Sequence, residues 1–248
     1  MYEFPISKLL TPNINDTKKP LILVGTGSFN PITYMHLRMM EMAKDYFKNE
    51  YQVIGGYLSP VGDGYDKKTL IESLHRTSMV ELSIEDSNWL MMDRFESNKP
   101  TFTPTRQVLD HIKLMAQDHL KSFKNIDCNI NVVLVCGADL LGSFNIPKLW
   151  SENDMNLLSS KDNFGIAVIS RNGSNLDDII SNNQILTKNK DGIFMIPIDI
   201  TNDVSSTKIR EKIRNNLSIK YLMPDKALNY INSNNIYKTE IPDFRNKL

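Results

Sequence analysis

The sequence predicts an α/β fold, a parallel sheet with helices on both faces and a helical C-terminal part. Three observations carry it. Short apolar runs alternate with helical patterns over most of the chain, the order that builds a parallel sheet from crossover units. "PLILVG" (20–25) runs straight into a glycine-rich turn and a helix start, "GTGSFNPITYMH" (25–36). The last fifth then drops the alternation, with "STKIREKIRNN" and "PDKALNYINSNN" as helical patterns in succession and no strand between them. Together these give the layout of a Rossmann-like sheet.

Taken in order, "PLILVG" is a continuous apolar run and reads as a buried strand, followed by a helix over "TYMHLRMMEMAKDYF". "YQVIGGYL" is a second strand. In "LIESLHRTSMVELSIED" helical spacing puts Leu70, Leu74 and Leu82 near one face, with Ile71 and Met79 beside them. "NWLMMD" is a third, short strand, "TRQVLDHIKLMAQDHLKSF" a long amphipathic helix, and "INVVLVCGAD" the clearest buried strand. "FGIAVIS" and "GIFMIPID" are further strands flanking a helix at "NLDDIISNNQ". No internal repeat, low-complexity segment or long Pro/Gly-rich linker divides the chain. The expectation is one domain over 1–248, with 1–19 an N-terminal extension and 203–237 the helical C-terminal part.

Composition narrows the function. The 248 residues carry 29 basic and 29 acidic side chains, so no global field gathers nucleic acid or an anionic membrane. A phosphorylated ligand would need local positive groups. Cys128 and Cys136 are the only cysteines; they cannot make a zinc site alone and do not indicate a disulfide scaffold. The N-terminus shows no signal-peptide pattern, and no apolar run approaches the ~20 residues that span a bilayer. A reducing compartment, cytoplasm or nucleus, is expected.

A strand, a Gly-rich turn and a helix N-terminus make an anion site: backbone N–H groups point into the turn and the helix dipole favours negative charge. Gly25 and Gly27 remove side chains where phosphate approaches. The dinucleotide fingerprint needs a third glycine at position 30, where Asn30 stands before Pro31, and no Gly-Lys-Ser/Thr follows for a P-loop. A chance glycine pair in an ordinary turn is the plainer alternative. His36, three residues after Thr33, weighs against it, because both would share one side of the first helical turn and face the anion. Near the C-terminus, "NDVSSTKIREKIR" (202–214) repeats the logic with Ser205, Ser206 and Thr207 before Lys208 and Arg210. Alone it is equally a capped helix with a solvated basic face. The pair suits a polyphosphate gripped from two sides, for which positioning and charge neutralisation supply most of the catalysis.

Four segments, "GSFNPITYMHLRMMEMAKDYF", "SPVGDGYDKK", "CGADLLGSFNIPKLW" and "NDVSSTKIR", resemble in order those of the nicotinamide-mononucleotide adenylyltransferases of eukaryotic type, from about residue 20 to about residue 237. Thr33-Tyr34-Met35-His36 and Val204-Ser205-Ser206-Thr207-Lys208-Ile209-Arg210 match the wider superfamily's H/T-x-x-H and I-S-S-T-x-x-R elements. The resemblance implies transfer of AMP from ATP to nicotinamide or nicotinate mononucleotide, giving NAD or its deamido form and pyrophosphate. It implies that Gly27, Ser28 and Phe29 line the nucleotide with backbone groups and that His36 contacts the ATP phosphates. Thr207 and Arg210 would hold the leaving phosphates, with Ser205, Ser206 and Lys208 nearby and Asn202 beside the adenosine. On the mononucleotide side it implies Lys67 at the phosphate with Tyr65 and Ser28, Gly137 and Asp139 at the C-terminal end of their strand with Asp139 meeting ribose hydroxyls or metal-bound water, and Leu149, Trp150, Phe102 and Thr105 around the pyridine ring. Phe102 stands where the family often has tryptophan, and Met35 where the superfamily often has glycine. Mg2+ is implied, held mainly by phosphates and water, with no protein ligand set. A homo-oligomer is left open. The alternatives are a sister enzyme with another phosphate acceptor, an NAD-binding or chaperone-like protein of the same fold, and a dehydrogenase, which the missing third glycine disfavours.

Overall fold

The apolar runs form strands. The computed structural model describes residues 2–65, 67–170, 175–200 and 202–238. In it β1 (Lys19–Gly27), β2 (Tyr51–Pro60), β3 (Leu90–Met92), β4 (Asn131–Gly137), β5 (Ile166–Ser170) and β6 (Ile193–Pro197) pair in parallel in the order β3-β2-β1-β4-β5-β6. Chain order reverses between β1 and β4, and the crevice beyond their C-terminal ends is where such sheets bind ligands.

Leu21 to Val24 of β1 are fully buried, which explains the unbroken apolar run. Leu21 and Leu23 pack on one face with α1 (Tyr34–Phe47) and α9 (Asp225–Ser233), Ile22 and Val24 on the other with α3 (Thr105–Lys124). The C-terminal helices α8 (Ser206–Arg214) and α9 follow one another without a strand, as the sequence predicts. Residues before β1 pack onto the sheet: the Tyr57 hydroxyl donates to the Pro5 carbonyl (2.9 Å), and Phe4 stacks on Tyr57. No helix among the described residues is long and apolar enough to cross a membrane.

Three local expectations change. Helix α2 (Ser73–Ser83) starts after Leu70 and Ile71, leaves Leu74 62% exposed, and buries Arg76, Thr77, Met79 and Val80 instead. Hydrophobic spacing misses this because the buried face carries a guanidinium whose three nitrogens each donate within the protein. Helices α4 (Ala138–Ser143) and α5 (Glu152–Ser159) are too short for the periodicity to register. "NLDDIISNNQ" splits into α6 (Leu176–Ser181) and α7 (Gln184–Lys188), because the Asn183 side chain accepts from the N–H groups of Ile185 and Leu186 and caps a new helix.

Candidate active site

The β1–α1 turn holds His36 in a defined tautomer. Thr33 caps α1, accepting from the His36 N–H through Oγ1 (3.4 Å), while the Thr33 N–H donates to His36 Nδ1 (3.0 Å). This is a capping box with histidine in the place usual for Glu or Gln. A backbone N–H can only donate, so Nδ1 is an acceptor and the ring proton sits on Nε2. Burial pushes the imidazole pKa down to about 4, so near neutral pH the group is an uncharged N–H donor. Thr33 itself is fully buried and turned into the cap, so it does not face the anion as its spacing with His36 suggests.

His36 lines a cavity of about 270 Å³ with Gly27, Phe29, Gly137 and Asp139. Phe29 adopts φ 43°, a region unfavourable for a bulky residue, and its buried ring lies edge-on to His36 at 5.2 Å. The glycines differ in purpose. A Cβ at Gly25 would meet Leu58 at 3.1 Å and Met40 at 3.2 Å, a helix–sheet packing demand; a Cβ at Gly137 would meet nothing within 4 Å. Gly137 therefore borders space the protein itself does not fill.

The two segments expected to bind an anion lie against each other. Arg210, buried on α8, donates to the Asn30 carbonyl (2.6 Å) and to Thr207 Oγ1 (3.2 Å). The Ser206 hydroxyl donates to the Pro31 carbonyl (2.7 Å), so its one proton is committed and its backbone N–H is what remains for a phosphate. Ser205 caps α8 by accepting from the Lys208 N–H, which leaves its own hydroxyl proton to give. Lys67 Nζ donates to Ser28 Oγ (3.3 Å); burial, then the charges of Arg210 and Arg76, pull its pKa below the usual lysine range. Three cations thus converge on the Ser28–Pro31 turn.

Arg76 is one of the residues that the sequence reading misses. Fully buried, it donates to the carbonyls of Ile71 (2.9 Å), Ser28 (3.0 Å) and Val61 (2.7 Å) and pairs with Asp63 (3.3 Å). The available signal was a charged residue three and four positions before Met79 and Val80, on their face of the helix.

A second cavity of about 480 Å³ adjoins the first and shares Thr26, Gly27, Asp139 and Leu140 with it. It gathers Ser28, Tyr65, Phe102, Thr105, Leu149 and Trp150 as expected, together with Glu96, Thr103 and Asp154, which the sequence reading does not single out. Tyr65 and Phe102 face each other at 5.8 Å, and Trp150 is anchored by Nε1–H to Ser143 Oγ (2.9 Å). Lys67, Asn202, Ser205, Ser206, Thr207, Lys208 and Arg210 line neither cavity; Asn202 Oδ1 accepts from the Val204 N–H in the turn leading to α8.

Residues 24–212 match the model of the cytidylyltransferase-like family. This chain belongs to that family. Among curated relatives within it, the chain is 41% identical to the nicotinamide/nicotinic acid mononucleotide adenylyltransferase of Oryza sativa, over 88% of this chain and 86% of that one. It is 38% identical to nicotinamide/nicotinic acid mononucleotide adenylyltransferase 2 of Saccharomyces cerevisiae, over 95% of this chain but 61% of the yeast protein, so it spans about three fifths of that relative's length. The fold is similar to that of Plasmodium falciparum nicotinic acid mononucleotide adenylyltransferase complexed with NaAD, with TM-score 0.59, 21% identity, and coverage of 88% of this chain and 97% of that one.

Proposed function

We propose that this member of the cytidylyltransferase-like family works as one nucleotidyltransferase domain that transfers AMP from ATP to nicotinamide or nicotinate mononucleotide, releasing NAD or deamido-NAD and pyrophosphate. The observation that carries this is the pair of adjoining cavities meeting at Gly27 and Asp139, one holding His36 and the other Trp150. A dinucleotide made across that junction would have a nucleotide moiety in each.

In this reading an oxygen of the mononucleotide phosphate attacks the α-phosphorus of ATP in line, and the bond to pyrophosphate breaks. No side-chain nucleophile is needed. His36 Nε2–H donates to the α-phosphate oxygens as charge builds there. Lys67 neutralises the attacking phosphate, while Arg210, Thr207 and the α8 N-terminus with Ser205, Ser206 and Lys208 receive the departing one. Asn202 sits on the adenosine rim. A Mg2+ ion would be held by phosphate oxygens and water, with Asp139 the carboxylate that borders both cavities; among the described residues no group of three or more His, Cys, Asp or Glu offers it a cage. Bound there, it would neutralise the pyrophosphate.

The test is to supply ATP, Mg2+ and each mononucleotide in turn and to measure pyrophosphate release and dinucleotide formation. Robust turnover with phosphopantetheine and none with either mononucleotide would replace this acceptor with another. Trp150→Ala is expected to raise the KM for mononucleotide by about tenfold and leave the KM for ATP within about twofold, since an aromatic platform contributes roughly 1–3 kcal/mol per stacked ring. Equal rises in both would remove Trp150 from the ring site.

A further inference from the structure

Asn30 stands where a dinucleotide-binding turn would carry its third glycine, and its side-chain amide is used at both ends. The residue is 1% exposed. Its Nδ2 donates to the Thr69 carbonyl (2.6 Å), its Oδ1 accepts from the Tyr237 hydroxyl (2.8 Å), and its backbone carbonyl accepts from Arg210 (2.6 Å). A backbone carbonyl can only accept, so Thr69 fixes which end of the amide is the nitrogen. The oxygen then faces Tyr237, whose hydroxyl must be the donor. Burial raises the Tyr237 pKa above the usual phenol range, against the charges of Arg210 and Arg76, so that proton stays on the ring oxygen.

Thr69 belongs to the turn that carries Lys67. The Leu70 N–H donates to the Lys67 carbonyl (3.0 Å), which closes residues 67–70 into a β-turn. Lys67, Lys68 and Thr69 are exposed, so packing does little to hold that turn. It is tied to the β1–α1 turn at two points, Lys67 Nζ to Ser28 Oγ and the Thr69 carbonyl to Asn30. The two ties differ in kind. Ser28 lines the larger cavity, and the ammonium can exchange its hydroxyl for a phosphate oxygen when a ligand arrives. The amide tie uses no group that a ligand needs.

We infer that the Asn30 side chain and the Tyr237 hydroxyl are a positioning pair that sets Lys67 at the phosphate of the acceptor. This rests on the adenylyltransferase reading above. Lysine is a flexible point charge, and its effect on a reacting phosphate depends on where its backbone is held. Tyr237 orients the amide, the amide holds Thr69, and the turn carries the lysine. Asn30 and Tyr237 line neither cavity, so they act through Lys67 and do not touch the acceptor. The ATP side is insulated from them, because Arg210 is held by the Asn30 backbone carbonyl, which a side-chain substitution leaves in place.

The experiment measures the KM for mononucleotide and for ATP in Asn30→Leu and Tyr237→Phe, each made in the full chain and again in Lys67→Ala. Leucine has the branched shape of asparagine without its donor or acceptor, and phenylalanine keeps the tyrosine ring. Asn30→Leu is expected to raise the KM for mononucleotide about tenfold and Tyr237→Phe about threefold, with the KM for ATP within about twofold. In Lys67→Ala both effects should shrink below about twofold, since the residue they position is gone. A merely structural pair would raise both KM values or act equally with Lys67 absent, and either result overturns the inference. Should Asn30→Leu fail to fold, Tyr237→Phe carries the same test in both backgrounds. Turnover with an unchanged mononucleotide KM in the variants overturns this inference and leaves the reaction standing. No wild-type turnover with either mononucleotide brings down the adenylyltransferase reading, and this inference with it.

Discussion

His36→Ala should lower turnover by more than tenfold, on the order of 10²-fold, while the chain stays folded. The geometry gives His36 two separable jobs. Nδ1 accepts the Thr33 N–H and closes the α1 cap, and Nε2 keeps the only ring proton on a side chain lining the smaller cavity. Truncation removes both, so stability should also fall by about 1 kcal/mol, read from the urea midpoint. His36→Gln separates the two, because glutamine at this position is itself a capping-box residue. It should restore the midpoint and leave turnover low. If turnover recovers along with the cap, the histidine acts as a helix cap and has no part in the chemistry.

The largest stability effect is expected at Arg76. Arg76→Met leaves the carbonyls of Ser28, Val61 and Ile71 without their donor in a buried place, and should cost about 3–5 kcal/mol in urea unfolding. The pair with Asp63 adds little to that sum, because the aspartate side chain is 55% exposed. Arg76→Lys should recover less than half of the loss, since one ammonium cannot reach three carbonyls in the fixed fork of a guanidinium. A loss below about 1 kcal/mol in the methionine variant would mean that water takes the place of the guanidinium, and that the Ser28 turn does not depend on Arg76.

Much of this site was legible in the chain itself. The glycine turn, His36 and the Ser-Ser-Thr-x-x-Arg element are contiguous motifs, and "GADLLGSFNIPKLW" carries Asp139 and Trp150 after a strand that is plain from its apolar run. Glu96, Thr103 and Arg76 were not legible. Nothing about "FESNKPTFTPT" separates an acidic side chain lining a cavity from one in solvent, and burial is what gives Glu96 its unusual ionisation. In α2 the spacing of leucines pointed to the wrong face, because an arginine whose three nitrogens all donate within the fold packs where an apolar residue is expected.

Strand positions, the switch between alternating and successive helices, and the expectation of anion binding at two segments follow from periodicity and local turn chemistry, which act over a few residues. That those two segments lie against each other is decided by contacts no local pattern encodes: Arg210 to the Asn30 carbonyl across 180 residues, Ser206 to Pro31 across 175, and Tyr237 to the Asn30 side chain across 207. Each joins a polar group of the C-terminal part to the Asn30–Pro31 turn, and such pairing exists only once the sheet has brought both ends of the chain to the same crevice.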